Sequence, residues 1–112
     1  MDGLIVREYS TQTGTIAEGD YALIKGVALK YANIVDFMLE SNVNITPSSN
    51  GWIVVGTLPQ GYRPTYQFDL AGIDNVGDGS LHFRINTAGT ISYYGYSGQT
   101  VKPFVSGCFV IV

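Results

Sequence analysis

From Val35 the chain alternates. Val35, Phe37, Leu39, Ser41, Val43 and Ile45 fall on one face; Asp36, Met38, Glu40, Asn42 and Asn44 fall on the other. Period two predicts a strand with one buried face. Taken alone, Asn33 to Glu40 would pass for a helix, but the alternation extends beyond it and decides for strand. Tyr21-Ala22-Leu23-Ile24 follows a turn at Glu18-Gly19-Asp20 and reads as another strand. Trp52 to Leu58 is nearly all apolar, the pattern of a strand covered on both faces. Tyr66, Phe68 and Leu70 alternate with Gln67 and Asp69, and Leu81, Phe83 and Ile85 with His82 and Arg84. Thr90 to Tyr94 and Phe104 to Val112 complete the set, with Leu4-Ile5-Val6 either a first strand or a lead-in. Breaks fall at Pro47 to Gly51, Gly72 to Gly79 and Ser97 to Gln99. Short strands between Gly/Pro/Asn/Ser turns predict an all-β antiparallel sandwich, jelly-roll-like, in one domain over 1–112, with 1–10 either part of it or a lead-in from a stem.

One hairpin is legible to the residue. Leu81, Phe83 and Ile85 must share a face with Ile91 and Tyr93. Pairing Ile85 with Ile91 sets Asn86 opposite Thr90 and leaves the loop Thr87-Ala88-Gly89. Such a loop needs a left-handed residue at its last position, and Gly89 stands there. An even-length loop would turn Arg84 onto the inner face, so the pattern fixes the register. His82 then lies opposite Tyr94 and Arg84 opposite Ser92, on the outer face.

Composition narrows the function classes. Of the 112 residues only 13% are charged, against about a quarter in an average soluble domain. That fits two readings equally: surface buried against other copies, or a monomer with a Ser/Thr/Asn/Tyr surface. The net charge is −3. Six Lys+Arg without a basic run give no footprint for nucleic acid. The apolar runs are far shorter than the ~20 residues of a membrane helix, so no membrane insertion is expected. Met1-Asp2-Gly3 opens neither a positively charged stretch nor a signal-peptide core, so no signal peptide is expected. Asn44-Ile45-Thr46 fits a glycosylation sequon, read as chance without a secretion signal. One cysteine excludes an internal disulfide and a cysteine-rich zinc site.

Catalytic chemistry has little to work with. His82 is the only histidine and Cys108 the only cysteine. Nucleophilic catalysis needs a base beside the nucleophile, and no such constellation is visible. Cys108 lies in a strongly apolar strand and reads as a buried structural thiol. Asp74-Asn75-Val76-Gly77-Asp78-Gly79 resembles half of a calcium loop without its distal glutamate, and reads as a solvated turn. No metal, cofactor or catalytic residue is expected. The aromatics remain. Tyr93 belongs to the core, whereas Tyr94 and Tyr96 flank His82 and Arg84. A tyrosine ring with its hydroxyl suits a sugar face, but a subunit interface fits equally well. Trp52, at the head of its apolar strand, reads as core or interface. Candidate saccharide contacts are therefore Tyr94, Tyr96, His82, Arg84, Asp74, Asn75 and Asp78.

Gly51-Trp52-Ile53-Val54-Val55-Gly56-Thr57-Leu58-Pro59-Gln60-Gly61-Tyr62-Arg63-Pro64 and Phe83-Arg84-Ile85-Asn86-Thr87-Ala88-Gly89-Thr90-Ile91 carry a resemblance. They resemble the patterns GW..IGTLPxGYRP and xxIxTxGTI of the C-terminal head domains of phage and prophage tail fibre, baseplate and receptor-binding proteins. The likeness covers residues 30–112, and residues 10–29 resemble the preceding TxTIAxGxY strand. It implies a β-sandwich head, usually a homotrimer, at the tip of a virion tail, made in the bacterial cytoplasm and binding host cell-wall glycans. It also leaves open a structural knob packed on other tail and baseplate proteins. A stand-alone carbohydrate-binding module is a further alternative. The chain shows no shoulder or stem to lock a trimer, so it reads as a fragment of a longer fibre or a very small subunit. Physically, Leu58, Pro59, Gly61, Tyr62, Arg63 and Pro64 suit a tight corner, proline fixing φ and glycine allowing positive φ. With Gly89 they are expected to hold the scaffold, not the receptor.

Overall fold

The computed structural model describes residues 10–77 and 79–111. Nine strands and no helix lie among them: β1 (Gln12–Thr15), β2 (Ala17–Glu18), β3 (Leu23–Tyr31), β4 (Ile34–Ser41), β5 (Gly51–Thr57), β6 (Phe68–Asp74), β7 (Ser80–Ile85), β8 (Thr90–Gly95) and β9 (Pro103–Val110). They form one antiparallel sheet in the order β1-β3-β4-β9-β6-β7-β8-β5-β2. Its two edges are neighbours in sequence. β1 pairs with β3 and β2 with β5, and only Ile16 separates them. Ile16 is buried, and its N–H donates to the Gly26 carbonyl at 2.9 Å. The sheet therefore curls over and nearly closes, with Leu39 of β4 reaching across to Gly56 of β5. The all-β antiparallel sandwich expected from the sequence is thus built from one sheet folded on itself.

The alternation of β4 holds through its length, with Val35, Phe37, Leu39 and Ser41 buried. It stops there because the Ser41 hydroxyl donates to the Val43 carbonyl at 2.7 Å and accepts the Val43 N–H at 3.2 Å. That local turn throws Val43 outward, and Ile45 returns to the core by bridging Val101. The β7–β8 hairpin has the expected register: Phe83 opposite Tyr93, Arg84 opposite Ser92, Ile85 opposite Ile91. Gly89 takes φ +83°, and the Asn86 side chain accepts the N–H groups of Ala88 and Thr90 at 3.0 Å each. Phe83, Ile85, Ile91 and Tyr93 are buried, each contributing roughly 1.5–3 kcal/mol.

Several expectations need correction. β6 begins at Phe68 and runs through Gly72 to Asp74, while Tyr66 lies exposed in the bend before it. Gly72 faces the Phe83 ring and so belongs to the core, not to a loop. β5 is covered on one face only: Val55 is buried, but Trp52 and Val54 point outward, 38% and 41% exposed. Trp52 is therefore not core. Cys108 is exposed, since β9 turns Pro103, Val105 and Phe109 inward and leaves Ser106 and Cys108 outside. Partial burial and then the Asp36 carboxylate push its thiol pKa up, which makes it a poor nucleophile. Asp74 is buried rather than solvated. Leu4-Ile5-Val6 and Val112 lie outside the described residues.

The Leu58–Pro64 segment forms a corner. The Tyr62 N–H donates to the Pro59 carbonyl at 3.1 Å around Gly61, whose φ is +88°. Arg63 Nε donates to the Leu58 carbonyl at 2.9 Å, and the Leu58 N–H donates to the Gly89 carbonyl at 2.8 Å. Lys30 Nζ donates to the Gly61 carbonyl at 2.9 Å and lies 5.9 Å from the Tyr62 ring centroid. Pro64 is buried. The corner and the β7–β8 turn, far apart in sequence, thus lock onto each other.

Candidate functional site

β6, β7, β8 and β5 lie side by side, so their outward side chains stand in rungs across the sheet. Asp69 pairs with Arg84, Arg84 with Ser92, and Ser92 with Val54. One rung along, Ala71 pairs with His82 and Tyr94 with Trp52. Asp69 is the clamp. Its carboxylate accepts Arg84 Nε at 2.8 Å and Nη2 at 3.2 Å, and His82 Nε2 at 2.7 Å. The hydrogen bonds from Arg84 and then His82 lower its pKa to about 2. An ionised carboxylate only accepts, so Nε2 of His82 carries the proton. The bond to Asp69 raises the pKa of Arg84 in turn.

Held this way, the Arg84 guanidinium lies 4.3 Å from the Trp52 ring centroid, within cation–π range. His82 and Tyr94 meet Trp52 edge-on at 5.2 and 5.4 Å, and Tyr94 meets Tyr96 at 5.3 Å. The result is an ordered, partly exposed aromatic and polar surface. No protein-family model and no curated protein matches the chain.

His82, Arg84, Tyr94 and Tyr96 are thus brought together as the hairpin register requires. The β6–β7 loop behaves differently. The Asp74 carboxylate accepts the N–H groups of Val76 and Lys102, each at 2.9 Å. Burial alone would raise its pKa, but backbone hydrogen bonds from Lys102, Val76 and Gly77 outweigh it and lower the value. Asp74 therefore ties β6 to the start of β9 and is spent on that task. Asn75 is exposed, with its N–H on the Lys102 carbonyl at 3.0 Å, and Asp78 lies outside the described residues. Among the described residues no cluster of His, Cys, Asp and Glu is arranged to hold a metal.

Trp52 and Asp69 are the members that were not among the saccharide contacts expected from the sequence. The signal for Asp69 was its alternation with Phe68 and Leu70, which marks it as outward. Trp52 carried no such mark inside a continuous apolar run.

Trp52 is the only tryptophan, so its emission reports on this surface. The Asp69 pKa is depressed in the folded state, from 3.8 to about 2. Its contribution is therefore complete above the unfolded value and is lost as pH falls through the folded one. Acid titration is expected to change Trp52 emission with a midpoint near 2, as protonated Asp69 releases Arg84. Asp69→Asn should remove that transition while leaving the far-UV circular dichroism unchanged. A midpoint near 3.8, the ordinary carboxylate value, would show that the clamp does not hold in solution.

Proposed function

We propose that this chain is a non-catalytic saccharide-recognition head of a phage tail or baseplate protein. The observation that carries the reading is the Trp52–Tyr94–Tyr96 surface, held rigid by the Asp69 clamp on Arg84 and His82. Exposed aromatic rings beside fixed hydrogen-bonding groups suit the apolar faces and hydroxyl edges of sugars. The LPxGYRP resemblance supports the placement in a virion tail, and the mutual lock of that corner with the Gly89 turn suits a scaffold role for the motif. Proposed partners are host cell-wall glycans and further copies of the chain in a homotrimer. Weak single-site binding would then be raised by several copies acting together.

A second reading, a knob packed on other tail proteins, is favoured by one feature. The outward positions of β3 and β4 include Val27, Leu29, Tyr31, Ile34 and Met38, a face more apolar than a solvated sheet needs. Light scattering at micromolar concentration and binding to cell-wall polysaccharides from Gram-positive bacteria test the two together. A trimer that binds polysaccharide is the expected result. A monomer removes the trimer claim. No polysaccharide binding, with a stable complex on a tail partner, replaces the first reading by the second.

A further inference from the structure

Beside the aromatic surface lies a cleft of about 370 Å³, lined by Tyr21, Thr46, Ser48, Ser49, Asn50 and Trp52 among others. That is the small end of the ~300–1,000 Å³ range of small-molecule sites. Its wall is irregular backbone between Ile45 and β5, yet it is firmly held. The Gly98 N–H donates to the Pro47 carbonyl at 2.9 Å, and the Ser97 N–H to Asn50 Oδ1 at 2.7 Å. The Ser97 hydroxyl donates to the Ser48 carbonyl at 3.2 Å, and the hydroxyls of Thr46 and Thr100 bond at 2.7 Å. A loop fixed before binding loses little entropy when a ligand arrives.

The lining contains no charged side chain. It offers hydroxyls, the Asn50 amide and two aromatic rings. Trp52 belongs to both places: it lines the cleft, and it carries Arg84, His82 and Tyr94 on the adjoining surface. The charge of Arg84 is already matched by Asp69. From cleft to Trp52 to Tyr94 to Tyr96, the sequence of contacts is unbroken and electrically balanced.

We propose that cleft and surface form one site for an uncharged glycan. A single sugar unit occupies the cleft and the following units lie along Trp52, Tyr94 and Tyr96. This rests on the saccharide reading above and adds the pocket, the ligand's neutrality and its direction.

The test uses isothermal titration with glucose, galactose, rhamnose and N-acetylglucosamine, their linear trimers, and poly(glycerol phosphate) as the anionic comparison. Wild type is expected to bind at least one monosaccharide and its trimer, and not the phosphate polymer. Tyr96→Ala should weaken the trimer about tenfold and leave the monosaccharide unchanged, one lost aromatic contact being worth about that much. Ser49→Arg and, independently, Ser48→Arg should fill the cleft and abolish both, with melting temperatures unchanged. If trimers bind the two arginine variants as they bind wild type, the cleft is not the site and this inference fails while the saccharide reading stands. Binding of the phosphate polymer in preference to the sugars overturns the claim of neutrality. If neither these sugars nor extracted cell-wall polysaccharide binds wild type, both the inference and the reading beneath it fall.

Discussion

Gly72→Ala is expected to destabilise the domain by about 3 kcal/mol, the upper part of the usual overpacking range. A methyl group there would run into the Phe83 ring and the Phe104 carbonyl oxygen. Neither obstacle can yield easily. Phe83 is fully buried and tilted against Tyr93 at 6.1 Å. The Phe104 carbonyl is backbone, fixed where β9 meets β6 through the Ile73–Phe104 pair. For a chain of this size such a loss lowers the melting temperature by roughly 12 °C. Gly79→Ala is the control, because a Cβ there meets nothing within 4 Å. It should change stability by less than about 0.5 kcal/mol. Thermal melts followed by circular dichroism compare the two, and equal melting temperatures would show that the Phe83 ring has room to retreat.

The corner makes the second large effect. Gly89→Ala must adopt φ +83° and place its methyl 2.8 Å from Arg63 Nε and 2.9 Å from the Leu58 carbonyl oxygen. The left-handed backbone costs about 1 kcal/mol and the clash adds to it, for a total of about 2–3 kcal/mol. Arg63→Ala removes a charged donor from the Leu58 carbonyl, worth about 2 kcal/mol. The double variant should lose less than the sum, by at least about 0.5 kcal/mol, since removing Arg63 clears one of the two obstacles to the methyl group. Strict additivity in denaturant unfolding would mean that the corner and the turn do not act as one unit.

These residues show what made the fold legible. Wherever polar and apolar positions alternate, parity alone assigns each side chain to a face, and one loop length then fixes its partners. That is why the Ile85–Ile91 register and the outward placement of His82 and Arg84 could be read directly. A continuous apolar run carries no parity. Trp52 to Leu58 therefore concealed which positions face outward, and the residue at the centre of the candidate surface read as core or interface. Cys108 misled for a related reason: Gly107 breaks the inward series Val105–Phe109 with a residue that has no side chain to mark a face. Asp69 was visibly outward, but its grip on both Arg84 and His82 depends on the β6–β7 register. The loop between those strands begins beyond Asp74, later than the Gly72 break suggested, so that register was out of reach.

Asp74 looked from its neighbours like a solvated loop acid. Its real partners include the Lys102 N–H, 28 positions later in the chain, and no local pattern announces such a contact.

β9 lies between β4 and β6, so its ladders to both strands are what make the two halves of the sheet continuous at that seam. A ribosome delivers it after every other described strand. Until residues 103–110 emerge, β4 and β6 each present an unpaired edge above an open apolar face. Such edges are templates for neighbouring chains. Closure of this domain is therefore an event that follows synthesis of its last described strand, and a nascent chain halted short of it would be the form most exposed to its neighbours on the same message.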